Sequence, residues 1–195
     1  MPRPGRCSRP SSTTSGRPSG GFGACATRSN GKGREPVSGP EPEREWVIRF
    51  LDDLRAAEAA SAEVLAAWIA VCALDGLRGG LRVIAEREAA HAELLAERLG
   101  EMGVAPSAAL AEPVRAAALE RFGSERVSDE QKLATLLARY PDDTSATRPI
   151  TDVLDRLHHD PETREILRLV AEGEAATVAW LRAYHAGLVR PASRV

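Results

Sequence analysis

Apolar residues recur in alternating steps of three and four along three long stretches of the chain, which predicts three amphipathic helices. We expect the first helix to run from about Glu41 to Cys72 and the second to follow a turn at residues 73–80 and reach about Met102. The last long helix should run from Pro161 to about Leu188. Three long helices with no alternating strand pattern indicate an all-α protein.

The sequence between the second and the last long helix predicts shorter helices. Residues 108–121 carry only a weak helical pattern, whereas Ser128 opens a capping-box sequence and should begin a third bundle helix. Pro141 and Pro149 interrupt the chain that follows, so we expect this third helix to be short or broken. A further short helix is predicted near residues 150–157.

Each long helix carries a glutamate in the middle of its apolar stripe. In all three stripes, two aliphatic residues precede the glutamate, a polar residue follows three positions later, and another aliphatic residue follows four positions beyond it. The three sets are Leu51, Leu54, Glu58, Ser61 and Leu65; Leu81, Ile84, Glu88, His91 and Leu95; and Leu167, Val170, Glu174, Thr177 and Leu181. An unpartnered carboxylate inside a helical protein costs free energy, so these matched positions predict a shared polar layer.

The predicted turn between the first two helices places their polar residues at one height. The midpoint of Glu58 and Glu88 is residue 73, and that of Glu58 and His91 falls between residues 74 and 75. An antiparallel hairpin folded there brings the three side chains level. A Glu and a His one turn apart are how helical bundles hold a metal ion, although a buried pair joined by Arg87 or Arg98 would use the same residues.

Composition and charge narrow the classes of function. Ala, Leu, Arg and Glu dominate, and aromatic residues make up 4% of the chain, as is typical of helical proteins. Residues 1–34 carry seven basic side chains and no acidic one, while residues 35–195 hold 19 basic and 28 acidic side chains, a net charge of −9. Such an acidic part is a poor candidate for nucleic-acid binding. We expect a disordered tail over residues 1–41 and one helical domain over residues 42–190.

The cysteine content and the hydropathy pattern indicate a soluble, cytoplasmic protein. The three cysteines form no Cys-x-x-Cys pair, so they predict neither a disulfide framework nor a thiolate metal site. A reducing compartment suits such a chain. The chain has no apolar run of about 20 residues, so we expect no membrane span.

Three segments of the chain resemble the ferritin-like superfamily, and its rubrerythrin-type branch in particular. They are 54-LRAAEAASAEVLAAWI-69, 84-IAEREAAHAELLAERLGEMG-103 and 167-LRLVAEGEAATVAWLRAYH-185. The resemblance implies an antiparallel four-helix bundle whose core holds two iron or manganese ions. These ions are bound by one Glu from each of two helices and a Glu-x-x-His motif from each of the other two. Matched by position, the metal ligands would be Glu58, Glu88, His91 and Glu174.

The chain departs from the family pattern in two places. The second motif has Thr177 where the family has His, and the third helix offers only Glu130, which belongs to the first turn behind its cap. The resemblance therefore implies a reduced site for one or two ions. It predicts metal binding, or a role in iron or oxidative-stress homeostasis, with weak or no activity as a non-haem iron oxidase.

A metal-free bundle is the alternative prediction from the same departures. In that interpretation the three glutamates bond to polar side chains of the same layer, namely His91, Thr177 and Ser61. The protein would then be a structural or protein-interaction module. We expect a homodimer that covers the apolar surface beside the short third helix.

Overall fold

The structure is a computed structural model that describes residues 43–189. Its elements in chain order are α1 (Glu43–Val71), α2 (Asp75–Glu101), α3 (Glu112–Phe122), α4 (Asp129–Leu137), α5 (Arg148–Leu154) and α6 (Pro161–Val189). All regular elements of this described part are helices, which confirms the all-α prediction. Across residues 43–189 no helix combines the length and the apolar character needed to cross a bilayer. The tail predicted over residues 1–41 lies outside the described range.

The long helices α1 and α2 pack along each other as a hairpin joined by only three residues, 72–74. The turn overlaps the start of the predicted range, 73–80, but it is shorter, since the Asp75-Gly76 and Gly79-Gly80 pairs lie inside α2. Asp75 occupies the first turn of α2, where the helix dipole favours a carboxylate. The observed turn surrounds residue 73, the midpoint that brings Glu58 and Glu88 level.

Gly80 allows α6 to approach α2 closely, which explains a glycine inside the helix. A Cβ atom at Gly80 would lie 2.1 Å from two ring atoms of Trp180 on α6, whereas a Cβ at Gly79 would meet nothing within 4 Å. The ring of Trp180 in turn packs against Tyr184, with ring centroids 5.3 Å apart. Packing, rather than a turn, therefore requires a residue without a side chain at position 80.

The short helix α4 is tied to the α1–α2 turn by Asp129. Its N-terminus carries the predicted capping box, with reciprocal bonds between Ser128 and Gln131. One oxygen of Asp129 accepts a hydrogen bond of 2.8 Å from Trp68 Nε1, and the other accepts backbone N–H bonds within the turn. Burial alone would raise the pKa of Asp129, but these bonds hold the pKa below its usual value. The neighbouring Glu130 is exposed.

The helix that begins at Ser128 is short, as predicted, since α4 ends at Leu137 and the chain becomes helical again only at Arg148. Pro149 lies in the first turn of α5, so this proline begins a helix rather than interrupting one. Both α4 and α5 pack against α6, while α3 packs against α1. The weakly predicted segment 108–121 thus contains a helix, α3.

Two separate apolar clusters fill the interior. One joins the first half of α1 to the second half of α2 and includes Leu51 and Leu95. The other joins the opposite halves of the hairpin to the far part of α6 and includes Leu81 and Leu181. The matched polar residues of the three long helices lie between the two clusters, so the predicted polar layer crosses the interior.

Replacing Gly80 by Ala should destabilise the protein by about 1–3 kcal/mol, because the new methyl group displaces the Trp180 ring. The Gly79→Ala variant is the matched control, since it adds the same methyl group one position earlier in open space. That control should be stabilised by about 0.4–1 kcal/mol through the helix propensity of Ala. Urea unfolding of the two variants measures the difference, and equal stabilities would contradict the close packing of α2 on α6.

Candidate metal centre

The three long helices bring four predicted ligands into the polar layer. Glu58 on α1 and Glu88 on α2 are each 4% exposed, and His91 on α2 is 8% exposed. Glu174 on α6 is half-buried. One ligand atom from each of Glu58, His91 and Glu174 lies within 4.8 Å of the other two. The structure therefore places these three side chains at one level, as the matched positions in the sequence predict.

Glu88 joins the other two carboxyl groups of the layer. Burial raises the pKa of Glu88, and the charge of Glu58 raises it further. Oε1 of Glu88 and Oε1 of Glu174 are buried and have no hydrogen-bond donor. Two acceptor atoms are thus left without a partner in the interior, which is costly unless a proton or a cation joins them.

His91 presents one ring nitrogen to the carboxylates and the other to α6. Its Nδ1 lies 3.4 Å from Oε2 of Glu58. Burial lowers the pKa of His91 and the positive charge of Arg87 lowers it further, although Glu174 opposes the shift. The neutral imidazole is therefore favoured, and this is the form that binds metal ions.

Gly173 provides the surface against which the His91 ring packs. A Cβ atom at Gly173 would lie 2.5 Å from Cε1 and 2.9 Å from Nε2 of His91. The sequence did not single out Gly173, because a glycine within an amphipathic helix carries no periodic signal. Its proximity to the next glutamate of α6, Glu174, is the one clue the sequence holds.

Mutual repulsion and burial raise the pKa values of all three carboxyl groups. Burial is the largest cause in each case and raises the pKa of Glu88 to about 9. The pKa of Glu58 is also raised by the charge of Glu174, and that of Glu174 by the charge of Glu88. Arg87 acts in the opposite direction on all three. Without a bound cation, the layer therefore retains protons at neutral pH.

Arg87 and Thr177 connect α2 to α6 beside the carboxylates. A terminal nitrogen of Arg87 donates to Oγ1 of Thr177, which is buried. Arg98, the other arginine predicted to join the Glu88–His91 pair, instead bonds to Thr163 and carboxylates of the α5–α6 end of the molecule. The prediction for Arg98 is therefore wrong, because its side chain lies more than two turns beyond Glu88 along α2.

Tyr140 is a titratable side chain whose pKa responds to burial and to the charges of the layer. Burial raises the pKa of Tyr140 to about 12, and the charge of Glu174 adds to the shift, with smaller effects from Glu88 and Glu58. Tyr140 follows α4 and is half-buried. Glu130, the one carboxylate suggested for this helix, is exposed at the N-terminus of α4.

The geometry suits a small divalent cation. Ligand bonds of about 2.0–2.2 Å place two ligand atoms roughly 3–3.5 Å apart when adjacent on an ion and about 4–4.4 Å apart when opposite. The 3.4 Å separation of His91 Nδ1 and Glu58 Oε2 falls in the first range. All three atoms lie within 4.8 Å of one another, so any separation near that limit would have to shorten before the three bind one ion.

Comparisons of the chain with models of known protein families, with curated proteins and with solved structures found no match.

In the presence of a chelator, the melting temperature should fall by several degrees as the pH rises from about 5 to about 8. The folded state holds protons on carboxyl groups that are ionised when unfolded, so stability is lost as the pH rises toward the raised pKa values. Glu88→Gln should flatten this dependence, because it removes one raised carboxyl group. Glu93→Gln, an exposed change on the same helix, should leave the slope as in the wild type. A wild-type slope in Glu88→Gln would argue against retained protons.

Proposed function

We propose that this protein binds a divalent metal ion in the polar layer, through Glu58, Glu88, His91 and Glu174. The observation that carries this proposal is the convergence of three helices on one point. Ligand atoms of Glu58, His91 and Glu174 lie within 4.8 Å of one another, and two carboxylate oxygens beside them lack any donor. A divalent ion would partner these oxygens and offset the repulsion between the acids.

Iron or manganese suits this donor set better than zinc. Three carboxylates and a single imidazole form an oxygen-rich site, and structural zinc sites more often use thiolates and several imidazoles. Glu58 and His91 would bind from the hairpin and Glu174 from α6, while Glu88 would either bind or orient its two carboxylate neighbours. A bound iron ion would supply redox chemistry at the layer.

We further propose that the chain is a ferritin-like bundle with a reduced site. The likeness of α1, α2 and α6 to three helices of that superfamily supports this, as does the position of the matched glutamates. The fourth side of the bundle would consist of α4 and α5, which are separated by residues 138–147. The broken helix and the Thr177 substitution favour metal binding in iron or oxidative-stress homeostasis over robust oxidase activity.

A metal-free structural module is the second candidate, and the contact between Arg87 and Thr177 favours it. Arg87 already brings one positive charge to the carboxylates, and retained protons would neutralise part of the negative charge that Arg87 does not balance. A homodimer remains a prediction of this interpretation. Among the described residues, the exposed large apolar side chains are on α2 and α6, namely Val83, Leu169, Leu188 and Val189.

Protein purified without a histidine tag should contain iron or manganese in stoichiometric amount. The Glu88→Ala/His91→Ala variant should lose most of it, because it removes two ligands from one helix, and Glu93→Ala should retain it. A chelator should lower the melting temperature of the wild type, because an ion that binds only the folded state stabilises it. Elemental analysis and thermal melting provide the two measurements.

Two results would contradict metal binding. One is equal, negligible metal in the wild type and in Glu88→Ala/His91→Ala after reconstitution with either ion. The other is a melting temperature that the chelator leaves unchanged while Glu88→Gln raises it, as expected when a buried acid is replaced by a neutral amide. Both would favour the metal-free module.

Added ferrous iron should be bound without repeated turnover under air. We expect the amount of iron oxidised to level off near the amount bound, since the site has fewer ligands than a complete two-ion centre. Absorbance of the ferric product over time measures this, with Glu58→Ala as the variant that removes binding. Sustained oxidation faster than in buffer, abolished by Glu58→Ala, would instead assign oxidase activity.

A further inference from the structure

Arg87 lies immediately before Glu88 on α2 and brings a permanent positive charge to the polar layer. Its guanidinium group donates to Oγ1 of Thr177, one turn beyond Glu174 on α6. Its Cδ atom lies 3.3 Å from the position of a Cβ at Gly173, so the stem of the side chain passes beside the backbone of α6. Arg87 thus crosses from one ligand-bearing helix to another.

The Nε atom of Arg87 is buried and has no hydrogen-bond acceptor. An arginine that served only to join two helices would be expected to satisfy each buried donor. Arg87 instead donates one hydrogen bond from a terminal nitrogen to Thr177. Its positive charge lowers the pKa values of Glu58, Glu88 and Glu174. Arg87 therefore interacts with the carboxyl groups of the layer mainly through its charge and less through hydrogen bonds.

We infer that Arg87, held by Thr177, is a built-in cation of the site that limits it to one divalent ion. The inference rests on the proposed metal-binding function and specifies its stoichiometry. With their protons released, the three glutamates carry three negative charges. One divalent ion together with Arg87 balances them. A second divalent ion would leave two excess positive charges in a buried layer, where uncompensated charge is costly.

Thr177 contributes to this limit in two ways. Its hydroxyl accepts from the guanidinium group and holds the charge beside the carboxylates. A hydroxyl is also a weak ligand for iron or manganese, so the residue one turn beyond Glu174 adds no strong donor for a second ion. Arg87 therefore supplies positive charge in place of a second ion, and Thr177 occupies the position of a ligand that a second ion would need.

Titration of the full-length, metal-free protein with Mn²⁺, followed by calorimetry and by elemental analysis after desalting, tests the inference. The wild type should bind one ion per chain. Arg87→Met should still bind one ion but about tenfold more tightly, because a repelling charge has been removed. Arg87→Met/Thr177→His should bind two. Arg82→Met, an exposed change on the same helix, is the matched control and should behave as the wild type.

Arg87→Lys separates charge from hydrogen bonding and provides a second measurement if the double variant does not fold. It keeps the positive charge, so its affinity for Mn²⁺ should stay close to that of the wild type. Affinity as high as that of Arg87→Met would overturn the inference. So would unchanged or weaker binding in Arg87→Met, or a single ion in a folded Arg87→Met/Thr177→His variant.

The stoichiometry of the wild type separates this inference from the proposed function. Two ions per chain would overturn the limiting role of Arg87 and leave metal binding intact. Absence of binding in the wild type and in every variant would overturn the proposed function and the inference together. One ion in the wild type and two in the double variant would support both.

Discussion

The burial of three carboxyl groups between two apolar clusters is the constraint on which the rest of this structure depends. Glu58 and Glu88 are almost completely enclosed, and the carboxyl group of Glu174 completes the layer. Negative charges brought this close together in a poorly solvated interior repel one another strongly. Such carboxyl groups can stay buried together only if protons, a fixed cation or a metal ion offset the repulsion, and Arg87 is a fixed cation of the chain itself. The proposed function adds the metal ion.

Close helix packing keeps the layer compact enough for its groups to act together. Gly80 allows α2 and α6 to approach at the Trp180 end, and Gly173 allows the His91 ring to pack against α6 within the layer. Asp129 ties α4 to the turn of the α1–α2 hairpin by accepting hydrogen bonds from Trp68 and from the turn backbone. Each of these contacts depends on a single residue, namely Gly80, Gly173 or Asp129.

Much of the fold and most of the polar layer could be predicted from the spacing of residues. The stripes of α1, α2 and α6 predicted Glu58, Glu88 and His91 as buried, and the capping box predicted the start of α4. The predicted turn was too long because Gly79 and Gly80 were interpreted as turn residues. Gly80 faces Trp180, a residue a hundred positions away, and no local pattern records that contact.

The sequence by itself determined which positions are helical and which side chains lie on the same stripe, because helical periodicity is a local property of the backbone. That was enough to predict the level at which Glu58 and His91 meet. Only the tertiary structure decided what surrounds them. The contact between Arg87 and Thr177 joins residues 90 positions apart in the sequence. Such contacts depend on how whole helices rotate and approach one another, which is set by packing over the entire interior rather than by the spacing of any one segment.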